Sequence, residues 1–163
     1  HGGAPFYPRI AGVPPRPRVR DGLRDAACRA GTFAPIRHED LSAHTMHAEM
    51  YEIPAVTAQA IARARAEGRP VVAVGTTVVR TLEASAALHG MPVSERRETD
   101  IFIQPGSFFR VVDQMVTNFH LPGSTLLVLV SAFAGRERVM AAYEAAVSRG
   151  YRFYSYGDGM WIR

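Results

Sequence analysis

The run Val71-Val72-Ala73-Val74, closed by Gly75 and followed from Val78 by a helical pattern, constrains the fold more than any other feature. Four apolar residues rich in β-branching, opened by Pro70 and ended by glycine, read as a buried strand. Thr76 or Thr77 can cap the helix over 78–88 that Gly90 then closes. A strand, a tight turn and a helix in direct succession form the repeating unit of α/β folds. The chain from residue 31 onward keeps alternating in this way. Ile53, Val56, Ala60, Ile61 and Ala64 share one face of a helix that starts after Pro54 and ends at Gly68. Strands are expected over 100–103, 108–112 and 115–119, with Pro105-Gly106 as the turn between the first two. Ser124 is the cap of an almost wholly apolar helix over 126–134, which has no polar face and so must be buried. An amphipathic helix over 136–149 and a last strand over 151–156 complete the pattern. The fold class is therefore α/β, a mostly parallel sheet flanked by helices.

Composition narrows the function classes. At 163 residues, 47% hydrophobic and 21% charged, the chain has the make-up of one soluble globular domain, which excludes a collagen or a disordered tail. The longest apolar stretch, 126–134, is too short to span a bilayer, so no membrane is expected. A lone Cys28 can form neither an internal disulfide nor a cysteine-cluster zinc site, and a reducing cytoplasm fits. The net charge of +4 invites a nucleic-acid reading until its position is examined. All nineteen basic residues are Arg; six lie in the first thirty residues against two acids, and the other thirteen are balanced by thirteen acids. The excess belongs to the N-terminal segment and is no argument for a phosphate-binding face on the folded part. That segment, residues 1–29, is irregular and rich in Pro and Arg, and it opens with His1, as a fragment or processed start does.

Three segments carry chemical potential. Gly75, Thr76 and Thr77 lie where a strand meets a helix N-terminus, the place where open α/β sheets bind ligands. Their spacing matches neither a Walker loop nor a dinucleotide fingerprint, and a simple turn with capping hydroxyls is the competing reading. His44-Thr45-Met46-His47-Ala48-Glu49 gathers two imidazoles and a carboxylate. His47 and Glu49 would share a face on a strand, His44 and His47 on a helix. The spacing is not HExxH, so a general base or a hydrogen-bonded loop histidine is favoured over a metal. Asn118-Phe119-His120-Leu121-Pro122 places two polar side chains just before the buried helix, as structural hydrogen-bonders or as ligand contacts. The aromatic run Tyr151, Phe153, Tyr154 and Tyr156 could stack nucleobases, with core filling as the simpler account.

Together the blocks Ala30-Gly31-Thr32-Phe33, His44 to Glu49, Ala73-Val74-Gly75-Thr76-Thr77, Arg80-Thr81-Leu82-Glu83, Thr99-Asp100-Ile101-Phe102-Ile103, Thr117 to Pro122, Ser124-Thr125-Leu126-Leu127, Ser131 to Gly135 and Tyr156-Gly157-Asp158 stand in a specific order. That order resembles the C-terminal half of the S-adenosylmethionine:tRNA ribosyltransferase-isomerases of queuosine biosynthesis. The resemblance covers about residues 30–163, the C-terminal part of an α/β catalytic domain, and lacks the family's β-barrel domain. It implies transfer and isomerisation of the ribosyl moiety of S-adenosyl-L-methionine onto 7-aminomethyl-7-deazaguanine in tRNA, giving epoxyqueuosine with loss of adenine and methionine. S-adenosyl-L-methionine is then a substrate, no metal is implied, precursor tRNA is the partner, and a cytoplasmic monomer is expected. Such chemistry needs a base beside the sulfonium, a neutral attacking amine and donors for the departing adenine. His47, Glu49, Asp100 and His120 are the candidates for proton transfer. Gly75, Thr76, Thr77, Asn118, Ser124 and Thr125 are the candidate substrate contacts, and Arg80 is the candidate bidentate holder of a phosphate or carboxylate.

Residues 1–29 depart from the family, which carries TAGLHFT and VTLHVG segments there. With suitable codons, a one-base displacement turns residues 1–8 into TAGLHFTP and residues 24–28 into VTLH. This spacing predicts a shifted reading frame, regained near Ala30, which resequencing the gene would test. A Pro/Arg tract in place of an inner strand predicts poor stability and little activity for this chain alone. An inactive remnant that binds an adenosine-like ligand is therefore the alternative function, and an unrelated α/β small-molecule enzyme is a third.

Overall fold

The computed structural model describes residues 46–163. The frame-shift reading of residues 1–29, and His44 with its possible pairing to His47, lie outside the described residues. In chain order the elements are β1 (Glu49–Ile53), α1 (Ala55–Ala66), β2 (Val72–Val74), α2 (Thr76–His89), β3 (Glu95–Thr99), β4 (Gln114–Asn118), α3 (Thr125–Ala134), α4 (Arg136–Ser148) and β5 (Gly159–Ile162). The architecture is α/β with two small sheets: an antiparallel pair β1–β3, and a sheet of order β2–β4–β5.

The expectation of a mostly parallel sheet holds at one pairing among the described residues. β2 and β4 run parallel, in register Val72 to Gln114 and Val74 to Val116, whereas β4 and β5 run antiparallel. α2 supplies the crossover that a parallel pair requires. The chain then turns back through α3 and α4, so its last strand enters from the opposite direction.

Several element expectations need correction. β2 is covered on one face only: Val71 and Ala73 are buried, whereas Val72 and Val74 are 46% and 65% exposed. Trp161 of β5, paired with Val116 and so on that same open face, is exposed as well. In α1 the inward stripe is Thr57, Ile61 and Ala64, spaced four and three apart, and Val56 faces out. No strand forms over 100–103 or 108–112. In the second of these the backbone donors go to a side chain: the Glu83 carboxylate accepts from the amides of Arg110 (2.7 Å), Val111 (3.0 Å) and Val112 (2.9 Å). Those amides are satisfied, so the segment has no need of a neighbouring strand. The strand that precedes it, β3, reads Glu-Arg-Arg-Glu-Thr, with charges on both faces. Residues 151–156 form a turn instead of a strand, because Tyr154 takes a left-handed conformation and the amide of Asp158 reaches back to the Arg152 carbonyl.

The core lies between the covered face of the three-stranded sheet and the helices. Ile53, Val79, Met115, Leu129 and Val130 are its largest fully buried apolar side chains, drawn from β1, α2, β4 and α3. Phe119, Tyr143, Tyr151 and Phe153 extend it as an aromatic cluster with mostly edge-on contacts. Gly135, at φ 87°, ends α3 and begins α4, a one-residue elbow that a side chain would strain.

Candidate functional site

Because β2 and β4 are parallel neighbours, their carboxyl ends lie side by side, and both lead into loops before a helix N-terminus. On the β2 side, Gly75 turns the chain at φ 94° and ψ 145°, a conformation that a Cβ would disfavour. Its amide donates to the Val116 carbonyl at 2.7 Å, which fixes the bend against β4. Gly75 is itself the N-cap residue, and no side chain caps α2. Neither Thr76 nor Thr77 acts as the cap, because both lie within the helix.

On the β4 side, the chain leaves the strand at Asn118. The Asn118 side chain donates to the carbonyls of Gly157 (3.4 Å) and Asp158 (3.3 Å), tying this corner to the turn before β5. The His120 ring meets the Thr117 hydroxyl through Nε2 at 2.9 Å, and its backbone amide donates to the Tyr143 hydroxyl at 2.8 Å. Among the described residues Nδ1 has no hydrogen-bond partner. Burial pushes the imidazole down to about 4, so it is neutral near pH 7 and keeps a lone pair for a proton. Burial pushes the Tyr143 hydroxyl up, against the opposing pull of the His120 amide. Ser124 caps α3 as its position requires: its hydroxyl donates to the Leu121 carbonyl at 2.7 Å and accepts from the Leu127 amide at 3.2 Å.

The two corners face one hollow of about 240 Å³. Gly75, Thr76, Thr77, Asn118, His120 and Ser124 all contribute to its wall. Thr117 and Tyr154 line it too. Thr117 stands in the sequence only as one residue of the Thr117 to Pro122 block, with no role of its own, whereas Tyr154 stands among four aromatic residues that could stack nucleobases and nothing singles it out from the other three. Two helix N-termini, of α2 and α3, border the hollow, so the positive ends of both helix dipoles favour an anionic or carbonyl-bearing ligand.

The remaining sequence candidates are elsewhere. Thr125 is buried but does not reach the hollow. Arg80 and Glu49 form a buried pair, Nη1 to Oε2 at 2.5 Å, with Arg80 Nε also directed to the Ile101 carbonyl at 3.4 Å. Neither lines the hollow. His47 and Asp100 are exposed, just ahead of β1 and just after β3. Of the four candidates for proton transfer, the structure brings only His120 to this wall. Among the described residues no three His, Cys, Asp or Glu side chains gather as a metal site. No helix there is long and apolar enough to cross a membrane.

Comparison with known proteins gives a consistent picture. Residues 27–162 match the family model described as queuosine biosynthesis protein. The S-adenosylmethionine:tRNA ribosyltransferase-isomerase of Sorangium cellulosum is 62% identical over 135 residues, which is 82% of this chain and 36% of that relative. The protein of the same name from Citrifermentans bemidjiense is 60% identical over 132 residues, 81% of this chain and 38% of the relative. The crystal structure of S-adenosylmethionine tRNA ribosyltransferase from Thermotoga maritima superposes with a TM-score of 0.65 at 52% identity, covering 70% of this chain and 40% of that one. The chain thus spans well under half the length of the curated relatives it matches.

Proposed function

We propose, since this chain belongs to the queuosine biosynthesis protein family, that its hollow receives the nucleoside part of S-adenosyl-L-methionine. In the longer protein of which it would form one part, the reaction is transfer and isomerisation of the ribosyl group onto 7-aminomethyl-7-deazaguanine in tRNA. Epoxyqueuosine is the product; adenine and methionine are released. A tRNA substrate puts the reaction in the cytoplasm.

One observation carries this reading: the Gly75-Thr76-Thr77 bend and the Asn118/His120 corner, far apart in sequence, border the same cavity at the carboxyl ends of adjoining parallel strands. The roles come from the chemistry of each group. His120, uncharged and with Nδ1 free of any partner among the described residues, accepts a proton from the carbon beside the sulfonium or from the attacking amine. The amides at the start of α2 and the Thr76 and Thr77 hydroxyls supply donors to the ribose oxygens or to the departing adenine. Asn118 and Ser124 are held by their own hydrogen bonds and shape the wall.

A second reading rests on the chain's span of 36–40% of its relatives: the hollow binds an adenosine-like ligand without turnover. Calorimetric titration with S-adenosylmethionine, followed by an adenine-release assay on precursor tRNA, separates the two. Binding with release supports the full reaction, binding without release supports the second reading, and no binding rejects the hollow as a nucleoside site.

A further inference from the structure

Among the described residues Tyr154 is the one non-glycine residue with a positive φ, at 71°. A left-handed backbone costs any side chain with a Cβ conformational energy that glycine avoids, and a bulky aromatic residue adopts it rarely. Nothing else in the fold asks for tyrosine there. The turn itself is held by backbone groups, with the Tyr154 amide donating to the Phe119 carbonyl at 3.0 Å and the Tyr154 carbonyl accepting from Gly157 at 2.9 Å. Glycine would make both bonds. The ring contributes nothing to the aromatic cluster, which takes Tyr151 and Phe153 from the same segment, and Tyr154 remains 56% exposed. What Tyr154 does border is the hollow, whose other walls include Thr76, Asn118 and His120.

We propose that Tyr154 is the aromatic face on which the planar base of the bound nucleoside stacks. The proposal rests on the reading of the hollow as a nucleoside site and goes beyond it by assigning the residue that recognises the base. A half-exposed ring at the rim of a cavity with polar groups on its other walls suits such a base. Stacking holds its face while amides and side chains meet its edges. Strain retained at a residue that the fold does not need points to use by a ligand.

The test is calorimetric titration of the full 163-residue chain with S-adenosylmethionine and, separately, with adenosine, alongside thermal melting. Tyr154→Gly is expected to melt at the same temperature or higher, because the strain is gone, and to bind both ligands about tenfold more weakly, the loss of one stacking contact. Tyr154→Phe keeps the ring and is expected to bind like the unsubstituted chain. Tyr156→Gly, two residues on at a side chain outside the hollow, is expected to change neither binding nor melting. Unchanged binding in Tyr154→Gly, with the parent chain binding normally, overturns the stacking role alone. Weak binding in Tyr154→Phe as well as Tyr154→Gly assigns the effect to the hydroxyl and overturns it too. A parent chain that binds neither ligand removes the nucleoside reading and this proposal with it.

Discussion

The two ends of α2 treat polar groups in opposite ways. At its start, Gly75, Thr76 and Thr77 present a helix N-terminus without a side-chain cap to an open hollow. One turn further on, the polar side chains are buried and engaged. Arg80 holds Glu49, and Glu83 collects three loop amides. Ser85 donates to Glu95 at 2.6 Å, and Tyr51 donates to the same carboxylate oxygen at 2.8 Å. His89 lies 3.2 Å from the other oxygen. One helix therefore carries both the architecture and the site, told apart by whether its polar residues face the fold or the hollow; at the closed end Arg80 Nη2 is buried without a partner among the described residues. Glu83 is as polar as anything at the hollow, yet all that it offers is spent on a loop.

On this division, damage at the closed end is structural. Glu83→Ala removes the acceptor of three amides, of which those of Val111 and Val112 are buried with it. Unsatisfied buried donors cost about 1–3 kcal/mol each, so a loss of about 4 kcal/mol is expected in urea denaturation. A loss below about 1 kcal/mol would show that water replaces the carboxylate and that this end is open to solvent. Arg80→Met removes the guanidinium from the Glu49 carboxylate, and truncating one partner of a buried pair costs about 3–5 kcal/mol. An equally stable variant would break the contrast by showing that Glu49 has an adequate second partner. Ser124→Ala removes the cap of α3 at the hollow itself, with an expected cost of about 1 kcal/mol.

Smaller effects sharpen the contrast through pH. Burial alone would raise the Glu95 carboxyl, but hydrogen bonds from Ser85, Tyr51 and His89 outweigh it and hold the group below its usual range. Its contribution is therefore complete above the unfolded carboxyl value and disappears as pH falls through the lower folded one. His120 acts in the same direction in a higher window. The unfolded imidazole takes up its proton near 6.5 and the folded one near 4, so stability declines as pH falls between those values. Thermal melts at stepped pH should show His120→Gln flattening the upper part of this decline and Glu95→Gln the lower part. Interchanged windows would refute the assignment. The smallest stability effect is expected for Thr77→Val, within about 0.5 kcal/mol, with weaker S-adenosylmethionine binding in the same sample. Large destabilisation there would place Thr77 with the closed end.

The sequence was readable where local pattern and tertiary role coincide. The β2–Gly75–α2 unit, the Ser124 cap and the Asn118/His120 corner all announce themselves through glycine, a capping hydroxyl or a strand end. The β1–β3 pair did not, because Glu95–Thr99 carries charge on both faces and its pairing depends on a partner more than forty residues away. The stretch 108–112 misled for a different reason: its apolar side chains look like a strand, but its amides belong to Glu83. Arg80 and Glu49 suggested chemistry as separate charges, and only three-dimensional proximity reveals that each answers the other. Tyr154 was legible as an aromatic residue but not as a left-handed one, since no composition rule places tyrosine at positive φ.

The elbow at Gly135 has an evolutionary corollary. With a single residue shared between α3 and α4, there is no slack in which an inserted or deleted codon could be absorbed. Adding one residue to the start of α4 would rotate the rest of that helix by roughly 100°. Tyr143 would then swing off Phe119 and away from the amide of His120. Length variation should thus be purged at this junction while remaining tolerable in the exposed turn at Pro105-Gly106, so the spacing between the elbow and Tyr143 works as a ruler for the His120 corner.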